Sequence, residues 1–372
     1  MKCPLIFLVA ACGAGSAPMT TIDAPRVDAP TVPARLVAYV SGGGPDITWY
    51  DVDRTTGALT KVSSIAAFAA NPSFLAIDPG SSHLYAVSEA TSRVGAYAID
   101  PATGALTFVN DVASGGSGPA HVSVDRSGRY VLVANYGDGA IAVLPIRADG
   151  GLGAAQQTQK AGTNAHMILT DPANHFAFVP CLGSGYLAQY TFDPATGQLA
   201  ANAVPHVMTA TGAGPRHLAF SPDAAHAYLI NETDSTLTAL GYDAATGRLT
   251  PIHTVSSRAA SATGANTTAE VWVHPSGKFV YGSNRGDDTI AVFARDALTG
   301  RLTPIAQTST QGMTPRDFTL DPSGRFLYAA NQDSSSVVAF AIDPTAGTLT
   351  PTATPITVTS PAFVGIVALP QL

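Results

Sequence analysis

The sequence predicts an all-β protein, a seven-bladed β-propeller whose ring is closed by the pairing of its N-terminal and C-terminal strands. Three observations support this prediction: a short segment recurs seven times about every 48 residues, alternating apolar runs flank each copy, and one strand at each end of the repeats lacks a neighbour. The 35 glycines and 27 prolines suit a chain with many turns. Helical periodicity does not appear.

The first recurring segment is Gly-x-Leu, usually preceded by Thr. Each copy follows a run that alternates apolar and small residues, such as 94–99, the pattern of a half-buried strand. An Asp-Pro-x-Thr-Gly step such as 100–104 joins the run to the Leu, and these residues are typical of a hairpin turn. The seven copies begin at Gly57, Gly104, Gly150, Gly197, Gly247, Gly300 and Gly347.

A second four-residue segment lies between successive hairpins, as in 214–217 and 314–317. In the first six copies it is followed by an apolar strand, a turn such as 321–324 and another apolar strand. Each repeat therefore holds about four strands, and seven such units predict a propeller. The seventh unit stops after 363–369, while 36–41 form a strand before the first Gly-x-Leu, so pairing these two would close the ring.

Charge and hydropathy exclude other classes of protein. Only 12% of the 372 residues are charged, the net charge is −7, and no basic run exists, so nucleic acid is not an expected partner. No apolar stretch is long enough for a membrane span.

The N-terminus has the features of an export signal. Lys2, the apolar stretch 5–11 and Cys12 resemble a bacterial lipobox, in which the cysteine is lipidated. We therefore expect a signal peptide over 1–12, a Pro-rich tether over 13–34 and the propeller over 35–371. This predicts an exported lipoprotein that contacts the membrane only through its lipid; the alternative is a cytoplasmic protein. A propeller of this kind can function as a monomer.

The last residues of the second segments form a first ring of positions, and residues fifteen places later form a second ring. Because each pair brackets an antiparallel hairpin, both rings should converge on one mouth of the central channel. The first ring is Phe74, His121, His166, His217, Glu270, Asp317 and Phe363, and the second is Glu89, Tyr136, Cys181, Glu232, Arg285 and Gln332.

Titratable groups are concentrated in these rings, and Arg216 and Arg316 directly precede two first-ring positions. We interpret this concentration as a functional site at the mouth of the channel. The alternative is that the channel is filled with water and that its polar groups have no function. We interpret the Asn before several second-ring positions as structural, and we expect His83, His175, His226 and His274, near the opposite turns, to be solvated.

At these residues the sequence resembles the seven-bladed lactonase family, which includes propeller-type 6-phosphogluconolactonases and fungal 3-carboxymuconate cycloisomerases. The resemblance covers about 36–370. It is carried by Ala134-Asn135-Tyr136, Gly214-Pro215-Arg216-His217, Asn231-Glu232, Ser283-Asn284-Arg285-Gly286, Thr314-Pro315-Arg316 and Ala330-Asn331-Gln332.

The resemblance implies a catalytic group of His166, Arg216, Glu232 and Arg285. We expect the other polar positions to bind substrate, namely His121, Tyr136, His217, Glu270, Arg316, Asp317 and Gln332. The chain departs from many members at Asn164, where they have a second histidine, and at Cys181 and Gly185, where they have Asp. These departures bear on the identity of the substrate.

The expected activity is hydrolysis of an anionic sugar-type lactone. His166 or Glu232 could activate water, and Arg216 and Arg285 could stabilise the oxyanion. The sequence has no Gly-x-Ser-x-Gly nucleophile elbow and no metal-binding motif, so we expect neither an acyl-enzyme nor a metal or other cofactor. Two alternatives remain: a muconate-type cycloisomerase, and a non-enzymatic surface propeller that binds a protein or glycan.

Overall fold

The computed structural model describes Met1 and residues 35–370. Contacts divide the chain into Met1–Pro33 and Ala34–Leu372, and the fold described here is that of the second unit. The predicted lipidation site Cys12 and the tether 13–34 lie outside the described residues. Within the described part of the chain, no helix could span a membrane.

The described residues form seven antiparallel sheets and no helix, as predicted. The first three strands belong to the sheet that is completed last, called blade 7: β1 (Leu36–Gly42), β2 (Asp46–Val52) and β3 (Leu59–Ala66). Blade 1 contains β4 (Pro72–Ile77), β5 (His83–Ser88), β6 (Arg93–Ile99) and β7 (Leu106–Ala113). Blade 2 contains β8 (Pro119–Val124), β9 (Tyr130–Asn135), β10 (Ala140–Pro145) and β11 (Gln157–Lys160).

The remaining blades repeat this order. Blade 3 contains β12 (Leu169–Thr170), β13 (Phe176–Cys181), β14 (Tyr186–Asp193) and β15 (Gln198–Met208). Blade 4 contains β16 (Pro215–Phe220), β17 (His226–Asn231), β18 (Thr236–Asp243) and β19 (Arg248–Ser256). Blade 5 contains β20 (Thr268–Val273), β21 (Phe279–Asn284), β22 (Thr289–Arg295) and β23 (Leu302–Ser309). Blade 6 contains β24 (Pro315–Leu320), β25 (Phe326–Asn331), β26 (Ser336–Ile342), β27 (Leu349–Pro351) and β28 (Ile356–Thr357), of which β28 pairs with β26 off the main path.

The ring closes as the sequence predicts. The final strand, β29 (Pro361–Ala368), pairs antiparallel with β1, with Val367 opposite Val37 and Gly365 opposite Tyr39. Blade 7 therefore has one strand from the C-terminus and three from the N-terminus. This pairing removes two sheet edges that would otherwise be open to aggregation.

Burial changes with the position of a strand in its blade. The second strands, such as β9, β17 and β25, are buried along their whole length because blades cover both of their faces. The fourth strands, such as β3 and β19, consist mostly of half-buried and exposed residues. Hydrophobic clusters therefore lie between adjacent blades, and they hold the first strands around the channel.

The Gly of each Gly-x-Leu segment lies in close contact with the preceding blade. All seven have a positive φ between 67° and 78°, which a side chain disfavours. A Cβ there would collide with a side chain at the first or second position of the second strand of the preceding blade. Gly300 faces His226 at 2.2 Å, and Gly247 faces Phe176 at 2.1 Å. Tyrosine hydroxyls also donate to the carbonyls of four of these glycines, in the pairs Tyr39–Gly104, Tyr85–Gly150, Tyr228–Gly300 and Tyr281–Gly347.

The histidines at the opposite turns differ from the prediction. His175 is exposed and His83 half-buried, but His226 and His274 are buried, so the expectation of solvation is wrong for these two. The reason is the blade interface: His226 packs against Gly300, and Nε2 of His274 donates to the Gly324 carbonyl at 2.8 Å.

Candidate active site

The first strands of the blades place the first-ring side chains against one another at one end of the channel. The ring centroid of Phe74 lies 4.4 Å from that of His121 and 4.9 Å from that of Phe363. The ring of His217 lies 5.6 Å from that of His121 and 5.1 Å from that of His166. These side chains come from five different blades, so they converge only because the ring is closed.

A buried polar chain continues from His217. Its Nδ1 lies 2.7 Å from Oε2 of Glu270, and the Glu270 and Asp317 side chains are hydrogen-bonded to each other. The backbone N–H of Val364 donates to Oδ2 of Asp317 at 2.7 Å. Since the two carboxyls touch in a buried place, they cannot both be ionised, and the pair holds one proton.

Four of the residues expected to bind substrate are almost completely buried. His217, Glu270 and Asp317 are 1%, 5% and 3% exposed, and His121 is 3% exposed. His217 contacts both His121 and Glu270 within this buried group. Burial raises the pKa of Glu270 to about 7, and burial together with Glu270 raises the pKa of Asp317.

Glu232 forms ion pairs with two arginines from neighbouring blades. Its Oε2 lies 2.9 Å from Nε of Arg216 and 3.0 Å from Nη2 of Arg285. The Nε–H of Arg216 does not point at the oxygen, so this contact is an ion pair without a hydrogen bond. Backbone carbonyls complete the arrangement: Arg216 donates to Ala269 at 2.6 Å, and Arg285 donates to Thr268 at 2.8 Å.

Each arginine keeps donors for a ligand. Among the described residues, Nη2 of Arg216 and Nη1 of Arg285 have no acceptor. Burial and the charge of Arg285 lower the pKa of Arg216 to about 9, which is still above neutrality, and burial also lowers the pKa of Arg285. Since a guanidinium is not deprotonated in proteins near neutral pH, both side chains are charged. The arrangement therefore presents two fixed cations whose positions are set by one carboxylate.

His166 is the fourth member of the predicted catalytic group, and it lies beside this cluster. Its ring contacts those of Tyr136 at 5.5 Å and His217 at 5.1 Å between centroids. Burial, followed by the charge of Arg216, lowers the pKa of His166 well below its usual value, so the ring is neutral at pH 7. Its Nδ1 is buried without a partner in the described part of the chain, which leaves Nε2 as the nitrogen in contact with solvent.

The register of blade 3 differs from the prediction by one residue. Ala165 pairs with Cys181 as Pro215 pairs with Asn231, so His166 corresponds to Arg216 and not to His217. The residue that corresponds to His217 is Met167, whose sulphur accepts the Leu218 N–H. The other blades have a bulge at this point, and the irregular start of blade 3 hid the offset from a comparison of four-residue segments.

Cys181 was therefore wrongly placed in the second ring. It is completely buried in a hydrophobic cluster and occupies the position of the structural asparagines, while Leu182 takes the second-ring position. The asparagines themselves are structural, as predicted. For example, Asn135 and Asn331 donate to the carbonyls of Ser114 and Thr310.

The remaining predicted residues lie around the mouth. Tyr136, Arg316, Gln332 and Glu89 are half-buried, and the charge of Arg316 lowers the pKa values of Arg216, His166 and His217 further. No carboxylate of the described residues forms an ion pair with Arg316, so no contacting group neutralises its positive charge.

Sequence reasoning missed the groups that act through the backbone. The carbonyls of Thr268 and Ala269 orient the two arginines, and the Val364 N–H fixes Asp317. The hydroxyl of Ser283 also accepts the N–H of Glu270 at 3.0 Å. In the sequence, only the positions of these four residues within the repeat could have drawn attention to them.

Two clefts elsewhere on the surface contain none of these residues. One lies at the seam of blades 6 and 7 and includes Ser41, Asp46 and Lys61; the other includes His274, Arg325 and Phe326. Within the described residues, no group of three or more His, Cys, Asp or Glu side chains is arranged to hold a metal ion.

Known proteins are similar to this chain over most of its length. A Bacillus subtilis protein named 6-phosphogluconolactonase is 34% identical over 288 residues, 75% of this chain and 82% of that protein. A Pectobacterium carotovorum protein of the same name is 34% identical over 186 residues, so the match spans only 56% of that relative. The solved structure of a periplasmic gluconolactonase from Pseudomonas aeruginosa superimposes with a TM-score of 0.83 at 31% identity, covering 91% of this chain and 99% of that one.

The family model described as "Lactonase, 7-bladed beta-propeller" matches residues 35–366. This range contains all seven blades except the last two residues of β29, and it contains every residue of the two rings. The resemblance stated from the sequence is confirmed. The chain belongs to the seven-bladed β-propeller lactonase family.

Proposed function

We propose that this protein is a lactone hydrolase that opens an anionic sugar-type lactone with water activated by a histidine. The observation that carries the proposal is the cluster in which Glu232 positions Arg216 and Arg285 beside the neutral His166. The relatives named as 6-phosphogluconolactonases and the periplasmic gluconolactonase support this reaction class.

Between the two candidate bases, the geometry favours His166. Oε2 of Glu232 is engaged by two guanidiniums, whereas Nε2 of His166 has a free lone pair when Nδ1 carries the proton. His166 takes a proton from water, and the resulting hydroxide attacks the carbonyl carbon. The free N–H groups of Arg216 and Arg285 stabilise the oxyanion.

Collapse of this intermediate breaks the bond between the carbonyl carbon and the ring oxygen. The imidazolium of His166 returns its proton to the departing oxygen, which gives a hydroxy acid and restores the neutral base. Arg316 has no ion-pair partner in the described chain, so it can bind a carboxylate or phosphate on the substrate.

The test is proton release from a panel of aldonolactones with and without a phosphate. We expect turnover by the wild type, and Arg285→Ala should lower kcat/KM by about 10²-fold because it removes an oxyanion donor. Arg147→Ala, which breaks a surface ion pair with Asp149 far from the mouth, is the control and should keep full activity. No turnover on any lactone would favour the non-enzymatic surface propeller, and unchanged activity of Arg285→Ala would move the chemistry elsewhere.

The proposed location is the periplasmic or outer cell surface, with the protein anchored by a lipid on Cys12. The similarity to a periplasmic gluconolactonase supports export. Cys12→Ala should release the protein from the membrane fraction into the soluble fraction. Continued sedimentation of the variant with membranes would contradict the anchor.

A further inference from the structure

Five consecutive blades contribute one group each to a line of contacts around the channel. The line runs from His166 in blade 3 through His217, Glu270 and Asp317 to the backbone N–H of Val364 in blade 7. All of these side chains are buried, yet the hydrolysis described above uses only His166. The inference that follows rests on that proposed function.

The hydrogen bonds of this line fix the tautomer of His217. Burial and the charge of Arg216 lower the pKa of His217, so the ring is neutral and carries one proton. Because Nδ1 lies 2.7 Å from Oε2 of Glu270, the proton belongs on Nδ1, where it is donated to that oxygen. Nε2 of His217 is then an acceptor.

Two neighbouring histidines each have a ring nitrogen that lacks a partner. Nε2 of His217 and Nδ1 of His166 are both buried, and neither has a hydrogen-bond partner among residues 35–370. The centroids of their rings lie 5.1 Å apart, so a rotation of the rings can bring the two nitrogens within hydrogen-bond distance. Buried polar atoms are nearly always satisfied, and one acceptor facing one donor would satisfy both.

We infer that His217, Glu270 and Asp317 are positioning residues that hold His166 as the Nδ1–H tautomer with the lone pair of Nε2 directed to the mouth. Nδ1–H of His166 donates to Nε2 of His217, and Nδ1–H of His217 donates to Glu270. Asp317 carries the one proton of the Glu270–Asp317 pair, so Glu270 accepts hydrogen bonds from both His217 and Asp317. His166 can then act as a base from one defined ring orientation.

Nitrogen NMR of the imidazoles in the wild-type protein tests this directly and does not depend on finding a substrate. We expect both His166 and His217 to be neutral Nδ1–H tautomers at pH 7. The Nε2–H tautomer at either residue overturns the inference. A lactonase assay that fails while these tautomers are found would contradict the proposed function and leave the inference standing.

Two substitutions at His217 test the same point through activity. In His217→Gln the amide NH₂ can donate to Glu270 while the amide oxygen accepts from His166, so we expect kcat within a few-fold of the wild type. His217→Leu cannot make either bond, and we expect kcat to fall about 10²-fold with a much smaller change in KM, the loss typical of a misplaced base. Equal activity of the two variants, whether high or low, would overturn the inference.

His274→Gln is the matched control, because it also replaces a buried, hydrogen-bonded histidine but lies at the opposite turns. It should reduce thermal stability and leave kcat unchanged. A fall of kcat in this control similar to that of His217→Leu would show a general loss of structure and overturn the argument from activity.

Discussion

Individual side chains at the mouth have pKa values set by their neighbours. Burial, then Arg216, His217, Arg316 and His121, lower the pKa of His166, so the neutral base persists at acid pH. The base is lost only as the pH falls through this lowered value. The acid limb of kcat/KM should therefore lie below the ordinary histidine value of about 6.5.

Arg316→Met tests this electrostatic assignment. Removing one positive charge near His166 raises the pKa of its ring, so the acid limb of kcat/KM should move to higher pH. The measurement is kcat/KM between about pH 4 and pH 8 with an uncharged lactone, so that lost binding of an anion does not interfere. A limb that stays in place, or moves to lower pH, contradicts the role of His166 as the base.

The residue types of the site could be predicted from the sequence, but their pairings could not. Glu232, Arg216 and Arg285 stood out because the rings contain charge in a chain with only 12% charged residues. That one Glu232 oxygen serves both arginines depends on side-chain directions across blades 4 and 5. Nor could burial be predicted for Glu270 and Asp317, because the groups that contact them, His217 and the backbone N–H of Val364, come from other blades and meet them only in the folded ring.

At the scale of strands and turns, the repeat predicted almost everything. The alternating runs and the Gly-x-Leu turns correctly predicted four-stranded blades, because strand alternation and turn residues both reflect the local conformation of the backbone. The error was the offset in blade 3, where β12 has only two residues and the segment before it is irregular. A one-residue shift is invisible when a four-residue pattern is compared without its strand partners.

The Gly-x-Leu glycines should be limited by their neighbours as well as by their backbone. Gly300→Ala places a Cβ 2.2 Å from Cδ2 of His226 at φ 71°, whereas Gly264→Ala at φ 86° meets no atom within 4 Å. Gly264→Ala should cost about 1–2 kcal/mol of unfolding free energy from its conformation alone. Gly300→Ala should cost clearly more, because the blade interface must also move; denaturant unfolding of both variants gives the comparison, and equal losses would contradict it.

The propeller depends on the pairing of its first and last strands, β1 and β29. The count of strands predicted this closure, because an unpaired strand at each end has one plausible partner. The same closure completes the site: the N–H of Val364 that holds Asp317 belongs to β29, the last strand of the chain. Global topology and local chemistry are thus coupled at blade 7.

Removing the last ten residues, 363–372, should therefore abolish the cooperative unfolding transition and the activity together. The truncation deletes most of β29, exposes β1 as an open edge and takes away Val364 and Val367 from their buried positions. Thermal unfolding followed by circular dichroism measures the loss, and a synthetic peptide of residues 361–370 supplied in excess should restore part of the transition by filling the same edge. A truncated chain that unfolds as cooperatively as the full protein would show that six complete blades are stable without closure.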